Sequence, residues 1–528
     1  MRRRPASKAS RVDSRWDAAL TALWKVLPPH IALSASALAL GLAIALPLAV
    51  LAARRPALRW AVLNVASVVQ TVPALALLAL FYPLLLALAA VSGVAIPALG
   101  FLPSLLALAL YSMLPMLRNG VAALTGIDPA VSEAADGLGM TAGQKLRLVE
   151  APLAAPVMMA GIRTAAVWTI GTATLSTTVG QPGLGDLIFA GLQTEDWVLV
   201  LAGCAGAAGL ALVADQLLGL VESGLARRSR WRVWTGLALL LAGLMVALLP
   251  AQSERSRGPH IAVGAKNFSE QYILAALIAD RLRGAGYDVS IKSGLGSAVA
   301  FRALEAGDVD VYVDYGGTLW ANELKRTATP PAAAMNAEIA RWLAARGGRV
   351  LGGLGFDNAY ALAMRSDRAA ALGVQSIADL GRAAPSLTLG SDLEFLSRPE
   401  WAALRTAYGL DFKATRTFSP TFMYRALGDG SADVISAFSS DGRIAADQLL
   451  VLPDPKGALP AYDALLLVSP AHAADPRLLH ALQPLIDAIP VERMREANLM
   501  VDRDTDKRSP KAAAQWLAKR LATPRPPR

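Results

Sequence analysis

The apolar residues of this chain are concentrated in its first half, where they form six runs long enough to cross a lipid bilayer. These runs lie at His30–Ala53, Ala61–Val91, Ala98–Leu117, Pro152–Thr178, Trp197–Val221 and Val233–Leu249. Roughly 20 consecutive apolar residues in a helix span the hydrocarbon layer. The pattern therefore predicts an α-helical membrane domain with five core spans, and a sixth span that leads to the second half.

The second half has a different pattern. After a polar linker at Ala251–Pro259, short strand-like runs begin to alternate with helical segments. The first strand, Ile261–Gly264, precedes a helical pattern over Glu270–Arg283, and the alternation returns from Leu387 onward. Such alternation is typical of parallel sheets covered by helices. Because the segment is longer than one compact sheet domain needs, we expect two α/β lobes with a ligand between them.

These patterns divide the chain into five parts. They are a basic N-terminal tail at 1–27, a membrane domain at 28–226, a linking transmembrane helix at 227–250, the linker at 251–259 and a binding domain at 260–528. The apolar stretch that follows Arg2–Arg4 is too long for the core of a signal peptide, and Arg54-Arg55 ends it in place of a cleavage site. It predicts a retained membrane helix.

Basic residues at the ends of the apolar runs indicate orientation. One cluster lies within Arg54–Arg59 and another at Arg227–Arg232. Because such clusters favour the cytoplasmic side, we expect Glu133–Arg147 inside the cell and everything after the sixth run outside. The basic tail at Met1–Arg15 conflicts with this orientation. Either it re-enters the membrane, which we favour, or Ala61–Val91 is a hairpin.

Composition excludes several classes of function. The chain has 528 residues, of which 54% are hydrophobic, and a net charge of +10. Its basic residues collect beside apolar runs, which argues for a membrane rather than a nucleic acid as partner. The single cysteine, Cys204, excludes an intrachain disulfide, and the four histidines have no metal-ligand spacing. Without a Gly-x4-Gly-Lys-Ser/Thr loop, we expect no ATP hydrolysis by this chain. We also predict no cofactor and no metal.

One long charged segment interrupts the apolar half. It begins with Glu133-Ala134-Ala135-Asp136-Gly137-Leu138-Gly139 and leaves through Ala151-Pro152-Leu153. Its glycines permit a sharp bend between two short helices. Composition alone is equally compatible with an ordinary loop. The order of residues over 133–153, however, resembles the coupling loop of ABC importer permeases, which sits in a groove of a separate cytoplasmic ATPase subunit. The resemblance implies that Glu133, Ala134, Ala135 and Gly139 couple to such a partner.

Further stretches resemble permeases that import quaternary amines. They are Gln70-Thr71-Val72-Pro73, Leu117-Arg118-Asn119-Gly120, Gly161–Ala165, Ile170–Leu175 and Gly183–Asp186. Pro73 would kink the second run, which is tolerable against protein or a water-filled path; irregular helix packing is the simpler alternative. Permeases of this family work as dimers in the bacterial plasma membrane. The resemblance therefore implies two copies of the chain with two ATPase subunits.

Four aromatic residues stand where predicted strands meet loops: Tyr315, Tyr360, Phe438 and Tyr462. One such ring alone is more typical of a core, but four in one domain could surround a cleft. Their electron-rich faces suit a cation without N–H donors, such as trimethylammonium. Arg398 could bind a carboxylate through two guanidinium nitrogens, with a surface salt bridge as the alternative.

These segments, from about Ile261 to beyond Tyr462, resemble the substrate-binding proteins of glycine betaine, carnitine and choline importers. The resemblance implies that the four rings form the aromatic cage, that Arg398 binds the ligand carboxylate, and that Gln271, Thr318 and Asn358 assist. Phe438 stands where many members have tyrosine, so a hydroxyl that could contact the ligand is absent. Relatives with the same fusion of permease and receptor bind ergothioneine.

The resulting interpretation is a non-enzymatic ABC importer permease fused to an extracytoplasmic receptor for quaternary ammonium osmoprotectants. The main alternative is an importer of ergothioneine or another amino-acid-like zwitterion, including a conventional amino-acid importer. A membrane receptor that does not transport is a further alternative. An anchored extracellular enzyme would have to use Asp310, Asp314 and Asp441, which no histidine or cysteine nucleophile set accompanies.

Overall fold

The computed structural model describes residues 8–94, 96–194, 196–248, 258–326, 330–392, 394–503 and 506–521. The predicted linker at 251–259 and the start of the predicted tail therefore lie largely outside the described residues. The chain separates into two compact units, Met1–Phe189 with Trp197–Ser253, and Glu254–Arg528 with Ala190–Asp196.

The first unit is helical. Its elements are α1 (Lys8–Arg54), α2 (Pro56–Thr71), α3 (Ala74–Ser92), α4 (Phe101–Thr125), α5 (Pro129–Gly137), α6 (Ala142–Lys145), α7 (Ala151–Ala173), α8 (Leu184–Gln193), α9 (Trp197–Ala226) and α10 (Arg230–Leu248). Six helical segments in the described ranges are long and apolar enough to cross a membrane. The predicted number of spans is confirmed.

Two boundaries differ from the prediction. Helix α1 begins at Lys8 and continues through Pro28 and Pro29, so much of the predicted tail is helical and continuous with the first span. The second apolar run is two helices, because Pro73 has no amide N–H to continue α2. The carbonyl of Val72, left free by this break, accepts a hydrogen bond from the Tyr111 hydroxyl on α4. The carbonyl that the break frees therefore has a hydrogen-bond partner within the protein.

Small and charged residues fix the packing of the central helices. A Cβ on Gly161 of α7 would lie 2.7 Å from the Pro115 carbonyl oxygen of α4, so only glycine allows this approach. Arg163, two residues further along α7, forms ion pairs with Asp215 at 2.8 Å and Glu222 at 2.7 Å, both on α9. Charged side chains in membrane spans persist when paired in this way.

The charged segment folds as two short capped helices. The carboxylate of Asp128 caps α5 by accepting from the amide of Ala130 at 2.9 Å. Thr141 and Gln144 form a reciprocal capping box at the start of α6. Gly139, between the helices, has a φ of +72°, which favours glycine. The predicted bend between two short helices is confirmed.

The second unit contains two lobes. The first lobe holds β1 (His260–Lys266), α11 (Ser269–Gly284), β2 (Asp288–Leu295), α12 (Ser297–Ala306), β3 (Val311–Tyr315), α13 (Gly316–Thr318), α14 (Ala332–Ala344) and β4 (Arg349–Asp357). The second lobe holds β5 (Tyr360–Arg365), α15 (Ser366–Leu372), α16 (Ile377–Ala383), β6 (Thr388–Ser391), α17 (Pro399–Tyr408), β7 (Ala414–Thr417), α18 (Pro420–Gly428), β8 (Val434–Phe438), α19 (Arg443–Ala446) and β9 (Leu449–Leu452). The chain then returns to the first lobe as β10 (Asp463–Val468), α20 (Pro476–Leu482), α21 (Val491–Asp502) and α22 (Pro510–Leu521).

Each lobe is built on a five-stranded sheet, with strand orders β2-β1-β3-β10-β4 and β7-β6-β8-β5-β9. Strand β1 pairs with β2 and β3 in parallel, as β6 does with β7 and β8. Strands β10 and β5, however, run antiparallel to their neighbours. The predicted parallel pairing is therefore confirmed for β1, β2 and β3 and for β6, β7 and β8, but the sheets are mixed, because the strand that follows each crossing between lobes enters in the opposite direction.

Those crossings position the site. The chain passes from β4 to β5 through Asn358 and Ala359, and from β9 to β10 through the segment that ends at Tyr462. Tyr360 and Tyr462 thus stand at the two crossings, while Tyr315 and the other ring, Phe438, end the inner strands β3 and β8. All four predicted rings are directed to the region between the lobes by strand topology.

Candidate ligand-binding site

A cleft of about 480 Å³ lies between the two lobes of the second unit. This volume falls within the range of small-molecule sites. The predicted site residues that line it are Tyr315, Tyr360, Phe438, Tyr462, Arg398, Thr318 and Asn358. The remaining one, Gln271, does not. The lining residues that sequence reasoning did not assign include Phe268, Asp392 and Glu394.

Tyr360 is the centre of the aromatic cluster. Its ring centroid lies 5.0 Å from that of Phe395, 5.1 Å from that of Phe438 and 5.7 Å from that of Tyr462. The pair with Tyr462 is edge-on, at an interplanar angle of 85°. These are the separations and tilts that aromatic pairs favour. Tyr462 in turn covers Gly317, where an added Cβ would meet its ring at 2.6 Å.

Phe268 connects Tyr315 to this cluster. Its ring centroid lies 6.1 Å from that of Tyr315 and 6.4 Å from that of Phe438, with which it is almost parallel. Phe268 follows β1 and immediately precedes α11. It therefore occupies the same kind of loop-entry position as the four predicted rings, and that signal could have identified it.

The phenol hydroxyls of the cluster point to buried carboxylates. The hydroxyl of Tyr315 donates to Glu270 at 2.6 Å, and that of Tyr462 donates to Glu400. Burial is the main reason that the pKa values of Tyr315 and Tyr462 lie well above that of an ordinary tyrosine. The rings therefore remain neutral, and what they offer a ligand is their π faces.

Gln271 supports the cage from behind. Its side-chain amide donates to the carbonyl of Val313 at 3.0 Å and to the Tyr315 hydroxyl at 2.9 Å. Its side-chain oxygen accepts from the backbone amide of Lys266 at 3.3 Å. Gln271, which the resemblance placed at the ligand, thus holds Tyr315 in position without lining the cleft.

Arg398 is a buried residue of the cleft wall, so the alternative of a surface salt bridge is wrong. Its Nη2 lies 3.3 Å from Glu400, 3.4 Å from the Thr318 hydroxyl and 3.2 Å from the Tyr462 hydroxyl. Its Nη1 donates to Glu394 at 3.3 Å. Thr318 and Tyr462 belong to the first lobe, so the guanidinium joins the two lobes. Its buried Nε has no hydrogen-bond partner in the described structure.

Glu270 is the buried acceptor at the base of the cleft. Besides the Tyr315 hydroxyl, it accepts from the amides of Asn358 at 3.1 Å and Asn498 at 2.9 Å. Burial raises the pKa of Glu270, and these donors oppose the shift. Because Asn358 lies on the first crossing between the lobes, Glu270 ties that crossing to α11 and α21.

The three aspartates considered for catalysis are each engaged. Asp314 forms a buried ion pair with Lys266, and Asp441 one with Arg443 at 2.6 Å. Asp310 accepts from the backbone amide of Ala262 at 2.8 Å. Within the described ranges, no group of three or more His, Cys, Asp or Glu residues could hold a metal ion. These contacts are structural and do not form an acid–base set.

Asp502, close to the cleft, predicts a pH dependence of stability. Burial raises its pKa from 3.8 to about 6, against the opposing effect of Arg443. The folded state therefore binds this proton more tightly than the unfolded state, and its contribution to stability decreases as pH rises from about 4 through 6. We therefore compare the free energy of unfolding of Asp502→Asn with that of the native chain at each pH. The difference should favour the variant by roughly 2 kcal/mol more at pH 7.5 than at pH 4.5.

This can be measured as the apparent melting temperature of the full chain in detergent at both pH values. Asp411→Asn, at an exposed aspartate of the same unit, is the matched control and should follow the native chain. Parallel pH profiles for Asp502→Asn and the native chain would contradict the assignment.

The predicted coupling residues form a second candidate surface, on the membrane unit. Glu133, Ala134 and Gly139 are exposed, whereas Ala135 is buried at 3% exposure and packs inside the segment. Leu138 is 78% exposed at the bend. The bend therefore presents polar and small residues together with one apolar side chain to the surroundings.

Comparison with known proteins agrees with both units. Residues 45–227 match the family described as the inner membrane component of binding-protein-dependent transport systems. Residues 259–519 match the family described as the substrate-binding domain of ABC-type glycine betaine transport systems.

Two relatives match the chain over different lengths. The ergothioneine transport permease/ergothioneine binding protein of Helicobacter pylori (strain G27) is 29% identical over 478 residues, 87% of this chain and 83% of that protein. The choline transport system permease protein of Bacillus subtilis (strain 168) is 40% identical over 193 residues, 37% of this chain and 83% of that protein. A solved glycine betaine/carnitine/choline ABC transporter structure is 24% identical, with a TM-score of 0.43, over 49% of this chain and 98% of that one.

Six apolar spans joined to a two-lobed receptor define an importer subunit that carries its own binding domain. The chain belongs to the osmoprotectant-type ABC importers, as a permease fused to its substrate-binding domain. Proteins of this class are multi-pass proteins of the inner membrane, with the binding domain on the extracytoplasmic side. They are transport proteins rather than enzymes.

Proposed function

We propose that the chain imports a small quaternary ammonium compound, whose cationic group is bound by the rings of Tyr360, Phe438 and Tyr462 together with Tyr315 and Phe268. The observation that carries this proposal is the clustering of neutral rings around Tyr360 at the wall of the cleft. A trimethylammonium group has no N–H to donate, so π faces can replace its hydration. Each well-placed ring contributes about 2 kcal/mol once the cation is desolvated.

Glycine betaine, choline and carnitine are the ligand class that fits these rings, and the matched family points to the same class. A ligand carboxylate would be bound by Arg398, which crosses the cleft to Thr318 and Tyr462. The neutral Thr318 hydroxyl and the Asn358 amide supply polar contacts at the same wall. This assigns the ligand's cation to the rings and its anion to the guanidinium.

Asp392 favours a second candidate ligand. One of its carboxylate oxygens accepts from the amides of Glu394 at 2.8 Å and Phe395 at 3.0 Å. Its other oxygen is buried, and no described residue hydrogen-bonds to it. An unpartnered buried acceptor in a cleft suits a ligand that brings an N–H. Ergothioneine, the ligand in the name of the H. pylori relative, has a trimethylammonium, a carboxylate and a ring N–H.

We propose further that two copies of the chain assemble with two separate ATPase subunits, which bind the segment around Glu133, Ala134 and Leu138. ATP is bound by that partner, and this chain contributes no cofactor and no catalytic residue. The exposed apolar side chain of Leu138 and the rigid capped helices support such docking. Movement of the segment is passed directly to α7, which follows it along the chain.

The test is calorimetric titration of the full chain in lipid nanodiscs with ligands that differ only in N-methylation. The pairs are glycine betaine with glycine, and ergothioneine with its unmethylated amino counterpart, and choline and carnitine complete the panel. We expect at least about 30-fold tighter binding of the methylated member, equivalent to about 2 kcal/mol. Equal or tighter binding of the primary amine would overturn the proposal in favour of a conventional amino-acid importer.

A further inference from the structure

The two carboxylates that contact Arg398 have different environments. The side chain of Glu400 is 3% exposed, accepts from Nη2 at 3.3 Å and also accepts from the Tyr462 hydroxyl. The side chain of Glu394 is 50% exposed and accepts from Nη1 at 3.3 Å. Removing a buried counterion leaves an unpaired buried charge, whereas an exposed one can rotate into water at little cost. We therefore expect Glu400 to remain paired with Arg398 and Glu394 to be displaceable from it.

Charge balance requires Glu394 to move when an anionic group arrives. Glu400 alone neutralises the guanidinium of Arg398, and Glu394 already adds a second negative charge to it. A ligand carboxylate would bring a third carboxylate to one cation, which is unfavourable through like-charge repulsion. A cation without a carboxylate, by contrast, can enter with the Glu394–Arg398 pair intact.

Glu394 also reaches the opposite lobe. Its carboxylate oxygens lie 3.4 and 3.5 Å from the hydroxyl of Ser297, which opens α12 of the first lobe. Arg398 and Glu394 both belong to the second lobe. The carboxylate thus occupies the space between the lobes where a ligand carboxylate bound to Arg398 would lie.

We propose that Glu394 is an internal substitute for the ligand carboxylate: it occupies Arg398 in the unliganded cleft and sets the preference between zwitterionic and purely cationic ligands. This inference rests on the proposed function, because it requires a quaternary amine as ligand. The negative charge of Glu394 favours cations of the choline type and weakens zwitterions of the betaine type by competing for the same guanidinium.

The test measures the ratio of two dissociation constants in the full chain in nanodiscs. The ligand pair is glycine betaine with choline, or ergothioneine with its methyl ester, so that the two members of a pair share the trimethylammonium group and differ in the carboxylate. Glu394→Gln keeps the shape of the side chain and removes its charge. It should bind the zwitterion roughly threefold to fivefold tighter, the fold-change of a half-exposed ion pair, and the cation no tighter than before.

Three variants serve as controls. Glu338→Gln removes the same charge from a half-buried residue of the same unit, paired with Arg326 at 3.1 Å, and should leave the ratio unchanged. Ser297→Ala removes the contact to the opposite lobe and should change both dissociation constants by less than about twofold. Glu394→Ala should shift the ratio in the same direction as Glu394→Gln.

An unchanged ratio in Glu394→Gln, or equal weakening of both ligands, would overturn the inference and leave the proposed function standing. If Ser297→Ala and Glu394→Gln weaken ligand binding to the same extent, the role of Glu394 is to bridge the lobes. That outcome also overturns the inference. If no quaternary amine binds the native chain or Glu394→Gln, the proposed function fails and the inference fails with it. A tightening confined to the zwitterion supports both.

Discussion

Tyr360→Ala is expected to weaken the binding of a quaternary amine by roughly 30-fold to 100-fold, equivalent to about 2–3 kcal/mol. Tyr360 is the only ring that lies within 6 Å of three others in the cluster described here, and the Arg398 guanidinium is 5.2 Å from its centroid. Its loss removes one π face and allows Phe438 and Tyr462 to shift. The dissociation constant of the full chain in nanodiscs, measured calorimetrically, gives the effect directly.

Tyr360→Phe is the matched control, because it keeps the ring and removes only a 3.4 Å contact from its hydroxyl to Asp392. It should bind within about threefold of the native chain. Tyr360→Leu fills more of the volume than alanine does and distinguishes loss of the ring from loss of packing. Native affinity in Tyr360→Leu would mean that the ring face does not bind the cation.

Glu133→Lys is expected to abolish uptake and to leave ligand binding unchanged. Glu133 is exposed on α5 of the membrane unit and contributes nothing to the cleft. Reversing its charge places a like or unmatched charge against the partner surface, and such contacts cost several kcal/mol at an interface. Uptake into proteoliposomes that contain the ATPase, and stimulation of ATP hydrolysis by the ligand, should both fall to background.

Asp17→Lys, at an exposed acidic residue of α1, makes the same charge change away from the coupling segment and should preserve uptake. Full uptake by Glu133→Lys would contradict the assignment of this segment. A native chain that binds ligand but never transports it in the presence of its ATPase would instead indicate a sensing receptor.

The architecture could be predicted from sequence where periodicity is local. The lengths of the apolar runs gave the number of spans, and the glycine at position 139 indicated the bend that its positive φ confirms. The complete break at Pro73 was harder to predict from sequence, because the group that hydrogen-bonds to the Val72 carbonyl is Tyr111 on another helix. The antiparallel strands β5 and β10 likewise depend on where the chain crosses between lobes, which no local pattern records.

The candidate site also has features that could be predicted from sequence and features that could not. The rings at strand ends could be predicted because strand ends meet at one edge of a sheet. Gln271 and Glu270 are adjacent in α11 and both hydrogen-bond to the Tyr315 hydroxyl, but only Glu270 also accepts from Asn358 on the crossing between the lobes. The rotation of that helix decides this difference, and no local pattern records it. The contacts of Arg398 with Glu394, Glu400 and Thr318 could not be predicted from sequence, and the one with Thr318 depends on the distance between residues of two lobes.

The short connection between Leu248 and His260 has a consequence for delivery of the ligand. The segment can reach about 40 Å at most, so the receptor domain is never free to diffuse. A tether of this length holds it at an effective concentration on the order of millimolar with respect to its own pore. A free receptor would have to be made in large excess to reach that value, and it would compete for pores when empty. Here the supply is fixed at one receptor per permease chain, so we expect the rate of uptake at low ligand concentration to depend on capture of the ligand from solution and not on the encounter of two proteins.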